Sequence, residues 1–288
     1  MKKILIQFDT DSLASTFDRV VALDAGADEI FSYGGITPEN VEPLVHGAIF
    51  TRSPSDLMHT AIFIGGSNVA AGEAVYERVK KTLFGPFSVS IMMDSNGSNT
   101  TAAATVLCAM HHLDLAETSA LVLAGTGPVG FRVAQLLLSQ GARVSLASRS
   151  LDRSKAARDR LAKICDSAKV TPCESSTVAG LDAATKGVQL IVAAGAAGAE
   201  LIAEDQWRSV AGLKLAIDLN AVAPAGIGSV EVMDKATERH GVMTYGAIGV
   251  GGTKMKIHHA AVRRLFESND RHFDTTALFE LGHHLLPR

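Results

Sequence analysis

Short apolar runs alternate with amphipathic stretches along this chain. Residues 3–8, 61–66, 87–93, 121–124, 144–147, 189–194 and 214–219 are apolar nearly throughout. Between several of them, residues 13–26, 68–83, 129–140 and 152–166 carry apolar positions at helical spacing. Strands that are hydrophobic on both faces, each followed by a helix, predict parallel βαβ units with covered sheets. Glycines cluster just after apolar runs, at 125–130, 195–198, 226–228 and 246–252. That spacing puts them at the carboxyl ends of strands, where open α/β sheets take ligands. No tandem repeat or low-complexity tract interrupts the pattern.

Composition narrows the class. The chain has 288 residues, 47% of them apolar and 20% charged, which leaves little room for extensive disorder. A net charge of −3 with no evident basic face argues against nucleic acid as a partner. The longest charge-free apolar stretches fall short of the ~18 residues a membrane helix needs. The start, Met-Lys-Lys-Ile-Leu-Ile-Gln-Phe-Asp, meets an acidic residue too early for a secretory signal. Three cysteines (Cys108, Cys165 and Cys173) without metal spacing fit a reducing cytoplasm, and no metal site is expected. A soluble α/β enzyme or binding protein remains.

Residues 121–130 read Leu-Val-Leu-Ala-Gly-Thr-Gly-Pro-Val-Gly and run into an amphipathic helix. A G-x-G-x-x-G that follows a strand and opens a helix is the dinucleotide-binding fingerprint in its proper context. Gly125 permits the tight turn, Gly127 lets the backbone approach a pyrophosphate, and Gly130 lets helix pack on strand. Thr126, Pro128 and Val129 complete the turn, whose free N–H groups meet the phosphate charge. The alternative is a glycine-rich turn with no ligand. The next strand ends Ser148-Arg149-Ser150, with Arg153 close behind and no carboxylate until Asp152. Guanidinium groups and hydroxyls suit a ribose 2′-phosphate, so NADP is expected over NAD. The alternative is that Arg149 and Arg153 are solvated loop charges, a reading as good as the other for Arg153 taken alone. Ala194 and Gly195 end a later strand and are expected near the nicotinamide ribose. Asp218 and Asn220 either orient the nicotinamide end or cap local backbone groups as Asx turns do. The fold class is therefore α/β with two lobes. An N-terminal α/β domain covers 1–103 and a Rossmann-type domain with a parallel sheet covers 104–273. A C-terminal helix over 274–288 is expected to pack back on the first lobe. The boundary is placed in the helix after Thr101, because the polar turn before it suits a cleft.

Polar constellations outside the fingerprint mark a second site. Phe8-Asp9-Thr10-Asp11, followed by Asp18 and Asp24, could read the amide and amine donors of a flat heterocycle. For Asp18 and Asp24, stabilisation of a helix N-terminus is the simpler reading. Asp94 to Thr101 is too polar and too glycine-dependent to be a spacer. A glycine loop over 246–252 leads into Lys254 and Lys256. The adjacent pairs His111–His112, His258–His259 and His283–His284 read as surface or helix-end histidines, because neighbours on a helix do not face one site.

Taken together, Gln7 to Asp11, Asp94 to Thr101, Gly125 to Gly130, Ala223 to Gly228, Gly249 to Lys256 and Arg264 to Ser268 resemble the bacterial NADP-dependent methylene-tetrahydromethanopterin dehydrogenases. The likeness runs almost end to end and is nearest to the branch that also accepts methylene-tetrahydrofolate. It implies one-carbon metabolism in a methylotroph, a cytoplasmic location, a homo-oligomer (trimer or hexamer), and a reduced pterin lying between the lobes. It also implies Asp11, Asn96, Ser98, Thr101 and Lys254 as substrate-binding residues, with Asp94 and Lys256 as catalytic ones. Which lysine of the pair faces the pterin is left open by the sequence.

The implied chemistry matches the residues present. A methylene bridge between two nitrogens expels hydride with the help of a nitrogen lone pair and leaves a delocalised methenyl cation. No proton leaves the reacting carbon, so a general base is not needed. Alignment alone can lower such a barrier by ~7–11 kcal/mol, and nearby carboxylates can stabilise the developing cation. The alternatives are a strict methylene-tetrahydrofolate dehydrogenase, a shikimate-type NADP dehydrogenase, and a non-catalytic NADP-binding sensor. The shikimate reaction needs a Lys/Asp acid–base pair, whereas Lys80–Lys81 reads as a solvent face. A sensor has no use for the elaborate tract at 94–101.

Overall fold

The computed structural model describes residues 1–286. The chain divides into two compact units, one made of Met1–Thr100 with Met255–Leu285 and the other of Thr101–Lys254.

Unit 1 begins with β1 (Ile4–Asp9), α1 (Thr16–Asp24), β2 (Glu29–Tyr33), α2 (Glu42–Ile49), β3 (Thr60–Gly65), α3 (Val69–Thr82) and β4 (Ser90–Met93). Strands β3 and β4 are buried over their whole length and β1 nearly so, which is why they read as unbroken apolar runs. Strand β2 is a sheet edge with Phe31 and Tyr33 exposed, so it carries no clear period in the sequence. Ser15 starts α1 by accepting from the Asp18 amide, and Asn68 starts α3 by accepting from the Ala71 amide.

The chain enters unit 2 within α4 (Ser98–Met110). There follow β5 (Ser119–Leu123), α5 (Pro128–Ser139), β6 (Arg143–Ser148), α6 (Leu151–Leu161), β7 (Val170–Glu174), α7 (Val178–Thr185), β8 (Leu190–Ala193), α8 (Glu204–Arg208), β9 (Leu215–Asp218), β10 (Lys235–Arg239) and β11 (Val242–Tyr245). The sheet order is β10-β11-β9-β8-β5-β6-β7, parallel except for β10, which forms an antiparallel hairpin with β11. Leu121, Leu123, Ile191, Ala216 and Trp207 fill one side of this sheet. The indole N–H of Trp207 donates to the Gly228 carbonyl at 2.8 Å, so the buried ring leaves no polar atom orphaned.

The chain returns within α9 (Ala247–Arg264), and unit 1 is completed by β12 (His272–Phe273) and α10 (Thr275–Leu285). Strand β12 lies parallel to β4, giving the five-stranded order β12-β4-β3-β1-β2.

Two expectations change. The Rossmann-type domain was expected to run to residue 273, but residues 255–273 belong to unit 1, because β12 pairs with β4 and Ser90 is bonded to Ser268 and Arg271. The stretch 246–252 is also not a glycine loop, since α9 begins at Ala247. A Cβ on Gly246 or Gly249 would strike the backbone of Glu231–Asp234, so these glycines let the helix lie on that segment. The C-terminal helix ends at Leu285 in unit 1, and Pro287 and Arg288 lie outside the described residues.

Candidate active site

In unit 2 the chain runs from β5 outward to β6 and β7, then crosses back to β8 and β9. The strand order thus reverses between β5 and β8, whose ends pair as Leu123 with Ala193, and ligands of such sheets bind outside that point. The Gly125–Gly130 turn leaves β5 there, through Ala124 at a φ of +53°. Two of its glycines are required by the protein itself. A Cβ on Gly125 would meet the Leu146 side chain, and one on Gly130 would lie 2.8 Å from the Ala124 carbonyl oxygen. Gly127 is different. Its nearest neighbour would be 3.4 Å away, an ordinary contact, and its φ of −76° suits any residue. It is also the N-cap of α5, with no side chain capping the helix and Pro128 in the first turn. A bare residue at an uncapped start of a 12-residue helix is the arrangement a phosphate needs.

The 2′-phosphate candidates gather at the end of β6. Thr126 Oγ1 donates to Ser148 Oγ at 3.5 Å, and Ser150 caps α6 by accepting from the Arg153 amide at 3.4 Å. Arg149 and Arg153 are exposed. Ala194 follows the end of β8, and Gly195 is held bare by Leu201, 2.8 Å from where its Cβ would be. Asp218 and Asn220 bond as Asx caps do. Asp218 accepts from the Asn220 and Ile227 amides at 3.0 Å each, while Asn220 accepts from Val222 and donates to the Pro224 carbonyl. Burial pushes the Asp218 carboxyl above its usual range, against the pull of these backbone donors.

In unit 1 the order reverses between β1 and β3, where Asp9 lies level with Gly65. Asp9 is fully buried and accepts from the Asp11 and Ser15 amides, both at 2.9 Å. Asp11 takes the Ser67 amide and hydroxyl, which ties the exits of β1 and β3 together. One Oδ2 of Asp18 and one of Asp9 lie 3.2 and 3.4 Å from where a Gly65 Cβ would be. Asp94, at the end of β4, is buried and gathers the start of α4. It accepts from the Asn99 amide (2.9 Å), the Thr100 amide (3.0 Å) and the Thr100 hydroxyl (2.6 Å). Its Oδ2 is 3.5 Å from Nδ1 of His258, whose ring stacks on Phe63 with centroids 5.7 Å apart. Burial raises the Asp18 carboxyl above the usual range; Asp94 and Asp9 push the same way, while Ser15 and His258 oppose.

The tract 94–101 therefore separates into two groups. Ser98 is fully buried and donates to the Ser95 carbonyl, so its hydroxyl serves the fold rather than a ligand. Asn96 is exposed at a φ of +52°, a left-handed conformation asparagine tolerates better than most residues. Thr101 is partly exposed. In α9, Lys256 is exposed and Lys254 partly so. Reading the histidines as helix-end residues is wrong for His258, which is 2% exposed. A usable signal existed: Ile257, Ala261, Val262 and Leu265 mark the buried side of α9, and His258 falls among them.

The family described as "Methylene-tetrahydromethanopterin dehydrogenase, N-terminal" matches residues 16–96. The bifunctional protein MdtA of Methylorubrum extorquens is 45% identical over 283 residues, 98% of each chain. The NAD(P)-dependent methylenetetrahydromethanopterin dehydrogenase of the same organism is 29% identical over 270 residues, 89% of each chain. A chorismate mutase/shikimate 5-dehydrogenase fusion protein from Clostridium acetobutylicum shares the fold, with a TM-score of 0.55 at 11% identity over 99% of this chain and 97% of that one. With nearly half its residues shared end to end with MdtA, the chain belongs to the methylene-tetrahydromethanopterin dehydrogenase family.

Proposed function

We propose that the protein oxidises the methylene bridge of methylene-tetrahydromethanopterin, and also of methylene-tetrahydrofolate, to the methenyl form with NADP. The observation that carries the nucleotide half is Gly127: nothing in the protein requires a glycine there, and α5 is left uncapped. Gly125, Thr126, Gly127, Pro128, Val129 and Gly130 would hold the pyrophosphate. Ser148, Arg149, Ser150 and Arg153 would hold the 2′-phosphate, with Ala194 and Gly195 toward the nicotinamide. Asp218 and Asn220 would act by shaping the adjoining loop. Bound NADP supplies the acceptor for a hydride.

The pterin half rests on unit 1. Asp11 and Asn96 follow the carboxyl ends of its strands β1 and β4 and would read the polar edge of the ring, and Thr101, in α4, would add a hydroxyl. Lys254 and Lys256 would orient the substrate rather than act as bases, because no proton is removed from the reacting carbon. The Asp94 carboxylate would favour the positive charge that grows on the methenyl carbon. An exposed apolar row supports association into a homo-oligomer, for which a trimer or hexamer is expected. The row comprises Leu13 before α1, Phe17, Val20 and Leu23 on it, and Phe31 and Tyr33 on the edge strand β2. No helix among the described residues is long and apolar enough to cross a membrane, and the three free cysteines suit a reducing compartment such as the cytoplasm.

The test is absorbance of reduced nicotinamide with NADP or NAD and each of methylene-tetrahydromethanopterin, methylene-tetrahydrofolate and shikimate. Turnover is expected with the two methylene carriers and NADP. Turnover with shikimate alone, or none at all, would refute the reading. Arg149→Asp should weaken NADP binding at least about tenfold more than NAD binding, and equal losses would remove Arg149 from the 2′-phosphate site.

A further inference from the structure

His258 is 2% exposed, and neither of its ring nitrogens has a hydrogen-bond partner among the described residues. A buried polar nitrogen left in that state is costly. A phenylalanine would keep the ring contact with Phe63, and a leucine would fill similar space, without that cost. The imidazole is therefore not explained by packing. What surrounds it is a group of carboxyls: Asp94 from the end of β4, 3.5 Å from Nδ1, and Asp18 from α1, itself beside Asp9 of β1. All of these lie in unit 1, at the carboxyl edge of its sheet beside the reversal point between β1 and β3.

Asp94 is held on three sides by α4. The Asn99 and Thr100 amides take Oδ1, and the Thr100 hydroxyl takes Oδ2. His258 is the contact that reaches the same Oδ2 from α9. That contact connects the carboxylate to the part of α9 that belongs to unit 1. We propose that His258 is a positioning residue for hydride transfer: the 3.5 Å approach of its Nδ1, an electrostatic contact longer than a hydrogen bond, keeps the Asp94 carboxylate set against the charge that develops on the pterin carbon. The proposal rests on the pterin reading above and adds a residue to it. Hydride transfer without acid–base chemistry depends on alignment, so a small displacement of Asp94 or of α9 acts on kcat more than on nucleotide binding.

Three variants of the full-length protein test this, each assayed for turnover, pterin KM, NADP affinity and melting temperature. His258→Phe keeps the ring on Phe63 and removes both nitrogens. His258→Asn places a polar atom near the Nδ1 position, and His258→Gln places one near Nε2. Expected are a fall in kcat of about 10-fold to 100-fold for Phe and Gln with NADP affinity unaltered, and a value within about threefold of the parent for Asn. If His258→Phe fails to fold, the Asn–Gln contrast decides in the same way. Equal kcat in all three variants, or a loss in Asn as large as in Gln, overturns the Nδ1 assignment. Parent protein that turns over no methylene pterin overturns the functional reading and this inference with it. An active parent with an unaffected His258→Phe overturns the inference alone.

Discussion

Asp18 shows how a single carboxyl joins fold to site. Burial raises its pKa first, with Asp94 and Asp9 adding to the effect. The folded state thus holds the Asp18 proton more firmly than the unfolded chain does, so above the ordinary aspartate range stability falls as pH rises through the folded value. Asp18→Asn removes the charge and keeps the shape. It should melt about 1–3 °C above the parent at pH 7.5 and level with it near pH 4, read by thermal scans at both pH values. A constant difference across pH would disconnect Asp18 from the cluster. At this scale the sequence was partly legible. Asp9, Asp11 and Asp94 stand out as polar residues ending apolar strands. Their hydrogen bonds do not, because the donors are backbone amides and hydroxyls whose positions only folding sets. His258 was hidden by its neighbour His259, since a doublet reads as a surface pair unless the apolar side of the helix is traced through it.

The β5–α5 element separates glycines needed by the protein from the one that suits a ligand. Gly130→Ala would place a Cβ 2.8 Å from backbone atoms of Ala124 and Gly125, a clash that rigid backbone cannot relieve cheaply. A loss of about 1–3 kcal/mol is expected, measured by denaturant unfolding. Gly127→Ala meets nothing closer than 3.4 Å and should unfold like the parent while losing NADP affinity in a fluorescence titration. If it instead kept its affinity, the phosphate cradle would lie elsewhere. Elements with a uniform burial pattern, such as β3, β4, β5 and β8, could be read directly from the chain. The β10–β11 hairpin could not. Strand β10 is half-exposed and polar, and what holds it is local: Arg239 grips Asp234 through two bonds of 2.6 and 2.7 Å, and Thr244 donates to the same carboxylate. Although burial works the other way, these donors hold the Asp234 carboxyl below its usual range.

For the whole molecule, the division of the chain matters more than any one element. Unit 2 takes all seven strands of its sheet from one continuous stretch, whereas the sheet of unit 1 takes β12 from the far end of the chain. A fragment spanning 101–254 should therefore fold alone and bind NADP, while residues 1–100, lacking β12, α10 and the second half of α9, should not. Circular dichroism of each fragment, with 255–285 added in trans to the second, checks this; a folded 1–100 fragment would show that the C-terminal segment is ornament to unit 1. The sequence by itself determined the class of fold, the dinucleotide turn and the family resemblance, since these depend on local period, glycine spacing and shared motifs along the chain. Only tertiary structure decided that the chain returns to unit 1 after residue 254, and that a histidine from its last long helix reaches an aspartate at the end of β4. Those outcomes depend on contacts between residues more than 150 positions apart, which no local pattern records.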